Sequence, residues 1–293
     1  MTIEISEDAR AKINLALHVT GQREDGYHLL DMLVTFTQHG DRLHFSEATD
    51  DQLSLSGRFA AKLDQDANNL VVRAKDLLRA KLGETGFEAR PVAIHLEKNL
   101  PVASGIGGGS ADAAATLRGL LRFWDATVST EVLGQLALTL GADVPMCLAS
   151  CPLLARGVGD EITPIADFPV FSLVLANPLK AVSTPEIFRA LNRKENPQIE
   201  LQPDGDWRSI ISHARNDLEP PARAKLCEIG VISEMLKDQG ALLARMSGSG
   251  ATCFGVFETM AQATEAQERL CKERPDWYFQ ATETVSGGQY AGS

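Results

Sequence analysis

The 293-residue chain contains no apolar run long enough to cross a bilayer, which excludes a helical membrane span. Cations are the scarcer charge: 28 Lys and Arg stand against 39 Asp and Glu, a formal net charge of −11. That balance excludes a sequence-independent nucleic-acid binder, which needs a basic surface to displace counterions. It does not exclude a small anionic substrate, because screening isolates a local site from the rest of the surface. The five cysteines, at 147, 151, 227, 253 and 271, form no C-x-x-C pair and no second cluster. A cysteine-built zinc site is not expected, and the expectation is buried free thiols in a reducing compartment. The opening stretch MTIEISEDARAKINLAL carries acids where a signal peptide carries bases, so a cytoplasmic location is expected. No internal repeat and no low-complexity segment is present. Composition is that of a globular protein, and the length suggests two domains or one large one.

Periodicity outlines mixed helix and strand. AKINLALHV (11–19) alternates, with Ile13, Leu15, Leu17 and Val19 on one face and Lys12, Asn14, Ala16 and His18 on the other. A polar turn (21–28) leads to strands at 30–37 and 41–47, separated by His39-Gly40. Helical spacing covers 69–82, and a strand covers 92–96. A helix follows the glycine-rich segment, with Ala114, Leu117, Leu120, Leu121 and Trp124 on one stripe. Another helix spans about 130–140. Beyond Pro152, a strand and turn, then a buried strand at 171–178, precede a polar segment at 192–209. Helices at 231–243 and 259–272 and strands within 246–257 and 277–284 follow, and the tail SGGQYAGS is expected to fray. Without regular βαβ repetition the class is α+β, with a boundary near 155–170.

Four glycines and two serines fall between Ser104 and Ser110, S-G-I-G-G-G-S, between a strand and an amphipathic helix. Glycine allows positive φ and close approach of a ligand to the backbone. The helix start offers free N–H groups and the positive end of the dipole, a ready anion site. The loop lacks the G-K-[ST] ending of a Walker A sequence and the final glycine of the dinucleotide fingerprint. By itself it is either a phosphate cradle held by backbone donors and hydroxyls or a tight connection. Lys12 and Asn14 share one strand face; the lysine is either an exposed strand residue or a cation for a phosphate. Asp143 in GADVP is either the N-cap of a short helix or a carboxylate aimed into a cleft. SGSGAT (247–252) is either a turn with a bulge or a second phosphate-touching loop across an interdomain cleft. Tyr27 and Phe188 are either satellite core residues or rings that stack a base.

Taken together these segments carry a resemblance. PVASGIGGGSADAAA resembles the phosphate loop of the GHMP small-molecule kinases, which include galactokinase, homoserine kinase and mevalonate kinase. SGSGAT resembles that superfamily's C-terminal glycine motif. With AKINLAL, DGYH (25–28) and GADVP (141–145), the set is similar to the branch that acts on a diphosphocytidyl alcohol, from about residue 9 to about residue 257. The resemblance implies ATP-dependent phosphorylation of the 2-hydroxyl of 4-diphosphocytidyl-2-C-methyl-D-erythritol, a step of the non-mevalonate route to isoprenoid precursors. It implies an N-terminal domain (1–163) like the second domain of ribosomal protein S5 and a ferredoxin-like C-terminal domain (164–293), with the substrate between them.

By position, Lys12 and Asp143 match the catalytic pair, Asp143 as general base and Lys12 as charge stabiliser. Pro101, Val102, Ala103, Ser104, Gly105, Ile106, Gly107, Gly108, Gly109, Ser110 and Ala111 match the ATP loop, with Ser247, Gly248, Ser249 and Gly250 supporting it. Asn14, Tyr27, His28 and Phe188 match the cytidine-substrate positions, Tyr27 and Phe188 flanking the cytosine and His28 reading its polar edge. ATP is the implied donor and Mg²⁺ its expected companion, with no protein metal ligand assigned. The expected partners are that substrate and ATP, with no nucleic acid and no membrane, on a monomer or homodimer. The alternatives are another GHMP kinase, or a ligand sensor that keeps the fold without turnover.

Overall fold

The computed structural model describes residues 4–63, 68–201 and 206–287. The expected fraying of the tail falls mostly outside them. Two sheets carry the fold. The first comprises β1 (Glu4–Gln22), β2 (His28–Glu47), β3 (Gln52–Ser56), β4 (Val92–Glu97), β5 (Leu153–Gly157) and β6 (Glu161–Pro164). Its order is β3-β4-β2-β5-β6, with β1 on β2. Only the β3–β4 pair is parallel. The second sheet is antiparallel, in the order β10-β7-β9-β8, from β7 (Ser172–Asn177), β8 (Leu243–Met246), β9 (Cys253–Phe257) and β10 (Tyr278–Glu283).

Helices α1 (Leu70–Gly83), α2 (Gly108–Trp124), α3 (Thr130–Leu140) and α4 (Val144–Ala149) belong to the first half. The second half adds α5 (Thr184–Arg189), α6 (Trp207–His213), α7 (Glu219–Lys225), α8 (Glu228–Asp238) and α9 (Met260–Glu273). Among the described residues no helix is long and apolar enough to cross a membrane.

Local chemistry accounts for the helix starts. The Asn69 and Ser129 side chains accept from Val71 N and Val132 N, and Thr259 with Gln262 forms a reciprocal capping box. In α7 the prolines stand in the first turn, where no N–H is required.

The alternating stripe on β1 does not stay on one face. Asn14 pairs with Val34 but Ala16 with Leu33, so Leu15 is an extra residue that bulges the strand. Ala11, Ile13, Leu15 and Ala16 therefore pack with Leu173, Leu175 and Phe254 of the second sheet. Leu17 and Val19 enter the other cluster, with Val34, Leu117 and Leu120. Both faces of this stretch are buried: the second half of the chain packs on Ile13 and Leu15 before the bulge, and after it on Ala16 and on His18, which meets Pro197 and Arg215.

Other boundaries shift for identifiable reasons. The expected pair of strands at 30–37 and 41–47 is one strand, β2. Gly40 lets it pass, since a Cβ there would meet Ala9 O at 2.4 Å. The expected helix at 231–243 runs from Glu228 to Asp238 instead. Gly240 at φ +91 ends it, and Leu243–Met246 form β8. The thiols are buried at 147, 151 and 253, but Cys227 and Cys271 are exposed, which corrects the expectation for those two.

Candidate active site

The β1 bulge sets the site. Lys12 N donates to Ile106 O at 2.9 Å, and Asn14 N to Ser247 Oγ at 3.0 Å, so the strand touches both glycine loops. Lys12 Nζ lies 3.1 Å from Asn14 Oδ1 and 3.1 Å from Asp143 Oδ2. The lysine side chain is 4% exposed and the Asp143 carboxylate 43% exposed, so the pair opens toward solvent on its acidic side. Asp143 occupies the N-cap position of α4, yet its side chain makes no capping bond. The ion pair with Lys12 takes the place of the cap. Asn14 is held from its other end, Nδ2 lying 3.3 Å from Met32 Sδ.

The two glycine loops stack backbone against backbone. A Cβ on Gly105 (φ +78) would stand 2.4 Å from Gly250 O, and one on Gly248 (φ +57) 2.8 Å from Gly105 O. Only glycine allows that contact. Thr252 fastens the two, its N–H and hydroxyl both donating to Ser104 O at 3.1 and 2.7 Å. Gly107, at φ +66, turns the chain into α2, whose first residues, Gly108 to Ser110, line the same cleft. That cleft has a volume of about 1150 Å³. Lys12, Asn14, Asp143, most of the 101–110 loop, Gly248, Ser249 and Gly250 all line it. Ile106 and Ala111 are buried behind the loop, and Ser247 is buried against β1.

The loop lacks cations in sequence but not in space. Lys12 from β1 lies under Gly107, its Cβ 3.2 Å from where a Gly107 Cβ would be. Lys98 Nζ, at the end of β4, lies 3.3 Å from the equivalent point on Gly108.

Tyr27, His28 and Phe188 line the same cleft. The His28 and Phe188 rings are stacked at 4.8 Å and 30°, so one face of Phe188 is already covered. Tyr27 is 65% exposed on the 23–27 turn. Burial, with Lys194 nearby, holds the His28 imidazole below its ordinary pKa, so it is neutral at pH 7, and its Nε2 is buried without a hydrogen-bond partner among the described residues.

Several supporting residues carry no signature that sequence reasoning picks out. Asn216 donates to Met246 O and Gly248 O, both at 2.8 Å, and accepts from Leu218 N, fixing the second loop. Its neighbours pair with β1: Leu17 N donates to Arg215 O, and Asp217 N to Leu17 O. Thr184, at the start of α5, meets Ser249 hydroxyl to hydroxyl at 2.6 Å. Lys98, Asp41 and Asp112 form a buried ion triad behind the first loop. These residues come from distant segments, and no spacing rule links them.

Comparison with known proteins agrees with this geometry. A family model described as GHMP kinases N terminal domain matches residues 69–150, and one described as GHMP kinases C terminal matches 187–276. The 4-diphosphocytidyl-2-C-methyl-D-erythritol kinase of Rhizobium johnstonii is 64% identical, with 97% of this chain and 94% of that protein covered. The enzyme of the same name from Agrobacterium fabrum is 59% identical, over 96% and 97%. A crystal structure of 4-(cytidine 5'-diphospho)-2C-methyl-D-erythritol kinase superposes with a TM-score of 0.80 at 32% identity, covering 97% of this chain and 100% of that one. Homoserine kinase from Cytophaga hutchinsonii, at 16% identity and a TM-score of 0.66, shares the fold. The chain belongs to the GHMP kinases, and among them to the 4-diphosphocytidyl-2-C-methyl-D-erythritol kinases.

Proposed function

We propose that this kinase transfers the γ-phosphoryl group of ATP to the 2-hydroxyl of 4-diphosphocytidyl-2-C-methyl-D-erythritol, using Asp143 as general base. The observation that carries this reading is the Lys12–Asp143 ion pair at 3.1 Å, lining one cleft together with the glycine loop and the aromatic cluster. Phosphoryl transfer depends on positioning and charge stabilisation more than on covalent chemistry. The backbone N–H groups of the 105–110 loop and the start of α2 hold the nucleotide phosphates, and Lys12 offsets charge on the transferring group. Asp143 accepts the hydroxyl proton; its open side faces the cleft, where an alcohol can reach it. Asn14, fixed between Lys12 and Met32, orients the acceptor.

Phe188 and Tyr27 flank the cytosine, with His28 stacked on one face of Phe188, and His28 reads the polar edge of the base. A neutral imidazole keeps one donor nitrogen and one acceptor nitrogen, and which of the two meets the base is set by its tautomer. Mg²⁺ supplies charge neutralisation to a bound triphosphate. Among the described residues no three His, Cys, Asp or Glu side chains converge on a metal, so the ion is expected to arrive on the nucleotide and not in a protein cage.

The test is transfer of labelled phosphate from ATP to the diphosphocytidyl alcohol, set against the cytidine-free alcohol phosphate, homoserine and mevalonate. Transfer to the first alone supports the reading. Equal transfer to cytidine-free alcohols contradicts the aromatic assignment, and no transfer to any alcohol would favour a ligand sensor.

A further inference from the structure

Beneath the first glycine loop lies a charge cluster that the proposed chemistry leaves unused. Lys98 Nζ is 2.6 Å from Asp41 Oδ2 and 2.5 Å from Asp112 Oδ2, and the three side chains are 2%, 0% and 4% exposed. With both acids ionised the cluster carries one net negative charge, out of water and against a loop built for anions. Burying an unbalanced charge is costly, and the simplest relief is to protonate one acid.

The two carboxylates are not equivalent. Asp41 accepts from Lys98 at Oδ2 and from the backbone N–H groups of Asn99 (2.6 Å) and Leu100 (2.8 Å) at Oδ1. Asp112 accepts from Lys98 at Oδ2, and its Oδ1 has no hydrogen-bond partner among the described residues. Donors hold a carboxylate in its charged form, so Asp41 keeps the charge and Asp112 takes the proton. Burial pushes the Asp112 carboxyl up to about 7, against the pull of Lys98 and with the help of Asp41.

The cluster touches the nucleotide loop. A Cβ on Gly108 would lie 3.3 Å from Lys98 Nζ and 3.8 Å from Asp41 Oδ2, and Lys98 and Asp112 are part of the cleft wall. Of the other charges nearby, Lys62 lines the same cleft against the Phe59 ring and Arg58 lies over the Phe59 and Tyr278 rings, while the following are held in ion pairs. On β1, Lys12 pairs with Asp143. On α1, Lys75 and Arg79 are turned onto Asp51. On α2 itself, Arg118 and Arg122 bind Glu7. From α4 the Cys147 thiol, pushed up to about 12 chiefly by burial, stays neutral. Beyond Asp41 lie His39, which burial keeps below its ordinary pKa, and the Tyr278 hydroxyl, which burial keeps neutral.

We propose that Asp112 is a positioning residue for the nucleotide: its carboxyl is neutral in the ATP-bound enzyme, leaving Lys98 in a balanced pair with Asp41. Where pH has removed that proton, nucleotide binding takes one up from water. The inference rests on the nucleotide docking at the 101–111 loop. The sign follows from charge. An anion disfavours a second anion behind the loop, so binding raises the proton affinity of Asp112, and nucleotide affinity falls as pH rises through its titration.

The experiment uses ADP with Mg²⁺ as probe on the whole enzyme, with calorimetry in buffers of different ionisation enthalpy. ADP protonation is common to wild type and Asp112→Asn and cancels between them. The wild type is expected to take up a fraction of a proton more than Asp112→Asn near pH 7.5. Its Kd should rise ~3–10-fold more than the variant's between about pH 6.5 and pH 8.5, as a shift of up to one unit requires. Equal proton uptake and parallel pH profiles overturn the proposal. Infrared difference spectra of the wild type alone supply a second readout, independent of how Asp112→Asn folds. A protonated-carboxyl band must grow on ADP binding near pH 7.5, and its absence overturns the proposal. ADP binding by Gly108→Val tests the underlying reading separately. Retained affinity there contradicts docking at the loop, whereas lost affinity with no proton linkage in the wild type contradicts the role of Asp112 alone.

Discussion

Arg245 ties the two halves of the chain together, and replacing it tests the packing logic of the site. Its side chain is buried, and its guanidinium donates to Leu15 O (2.6 Å), Ile211 O (2.9 Å) and Ala214 O (2.5 Å). Leu15 is the bulge residue beside Asn14, and the other two carbonyls lie at the end of α6. Burial lowers the Arg245 pKa only to about 10, so the group is charged at pH 7. Arg245→Met keeps the stem and removes the fork. Each buried carbonyl left without its donor costs about 1–3 kcal/mol. Relief from no longer burying a cation offsets part of that sum. The expected net loss is ~2–4 kcal/mol, with kcat/KM falling because the bulge that aims Lys12 and Asn14 loosens. Arg245→Lys keeps the charge but not the planar fork, and it should recover less than half of the loss. Urea denaturation followed by circular dichroism measures the first effect and steady-state kinetics the second. A midpoint that moves by less than the equivalent of ~0.5 kcal/mol in Arg245→Met would show that the guanidinium fork does not hold the bulge in place.

Three further outcomes are expected. Phe188→Ala and Tyr27→Ala should each raise KM for the diphosphocytidyl substrate while leaving KM for ATP nearly unchanged; equal rises for both ligands would count against cytosine stacking. Thr259→Ala removes the capping box of α9 and should cost ~1 kcal/mol in denaturation midpoint, with kinetics intact. Hydrogen bonds from Arg79, with Lys75 and Val92 N, hold the Asp51 carboxyl well below the usual carboxylate range. A lowered folded pKa adds stability above the unfolded value and loses it as pH falls. Asp51→Asn should therefore be less stable than wild type at pH 7, with the gap closing below about pH 4 in denaturation series.

Much of the fold is legible because its signals are local. Asn69, Ser129 and Thr259 announce helix starts, and VAIHL alternates as the half-buried strand β4 should. The glycine loop and GADVP can be found because close backbone approach demands glycine and a tight turn. What escapes local reasoning depends on contacts between distant segments. The Leu15 bulge moves Leu17 and Val19 off the face that strict alternation assigns them, and no single-strand pattern announces an extra residue. LARM (243–246) has helical composition but lies in a sheet because β9 pairs with it. Asp41, Lys98 and Asp112 look like ordinary surface charges in sequence; β2, β4 and α2 bring them together only in three dimensions. Asn216 is likewise one more asparagine until the Met246 and Gly248 carbonyls are seen beside it.

The most direct measurement is single-turnover phosphoryl transfer by Asp143→Asn, with both ligands shown bound. Removal of a general base costs ~10²–10⁴-fold in rate, so the chemical step should slow by at least that order while the Kd for ATP and for the acceptor stays close to wild type. A variant that transfers phosphate at nearly the wild-type rate would show that the carboxylate beside Lys12 takes no proton in the reaction.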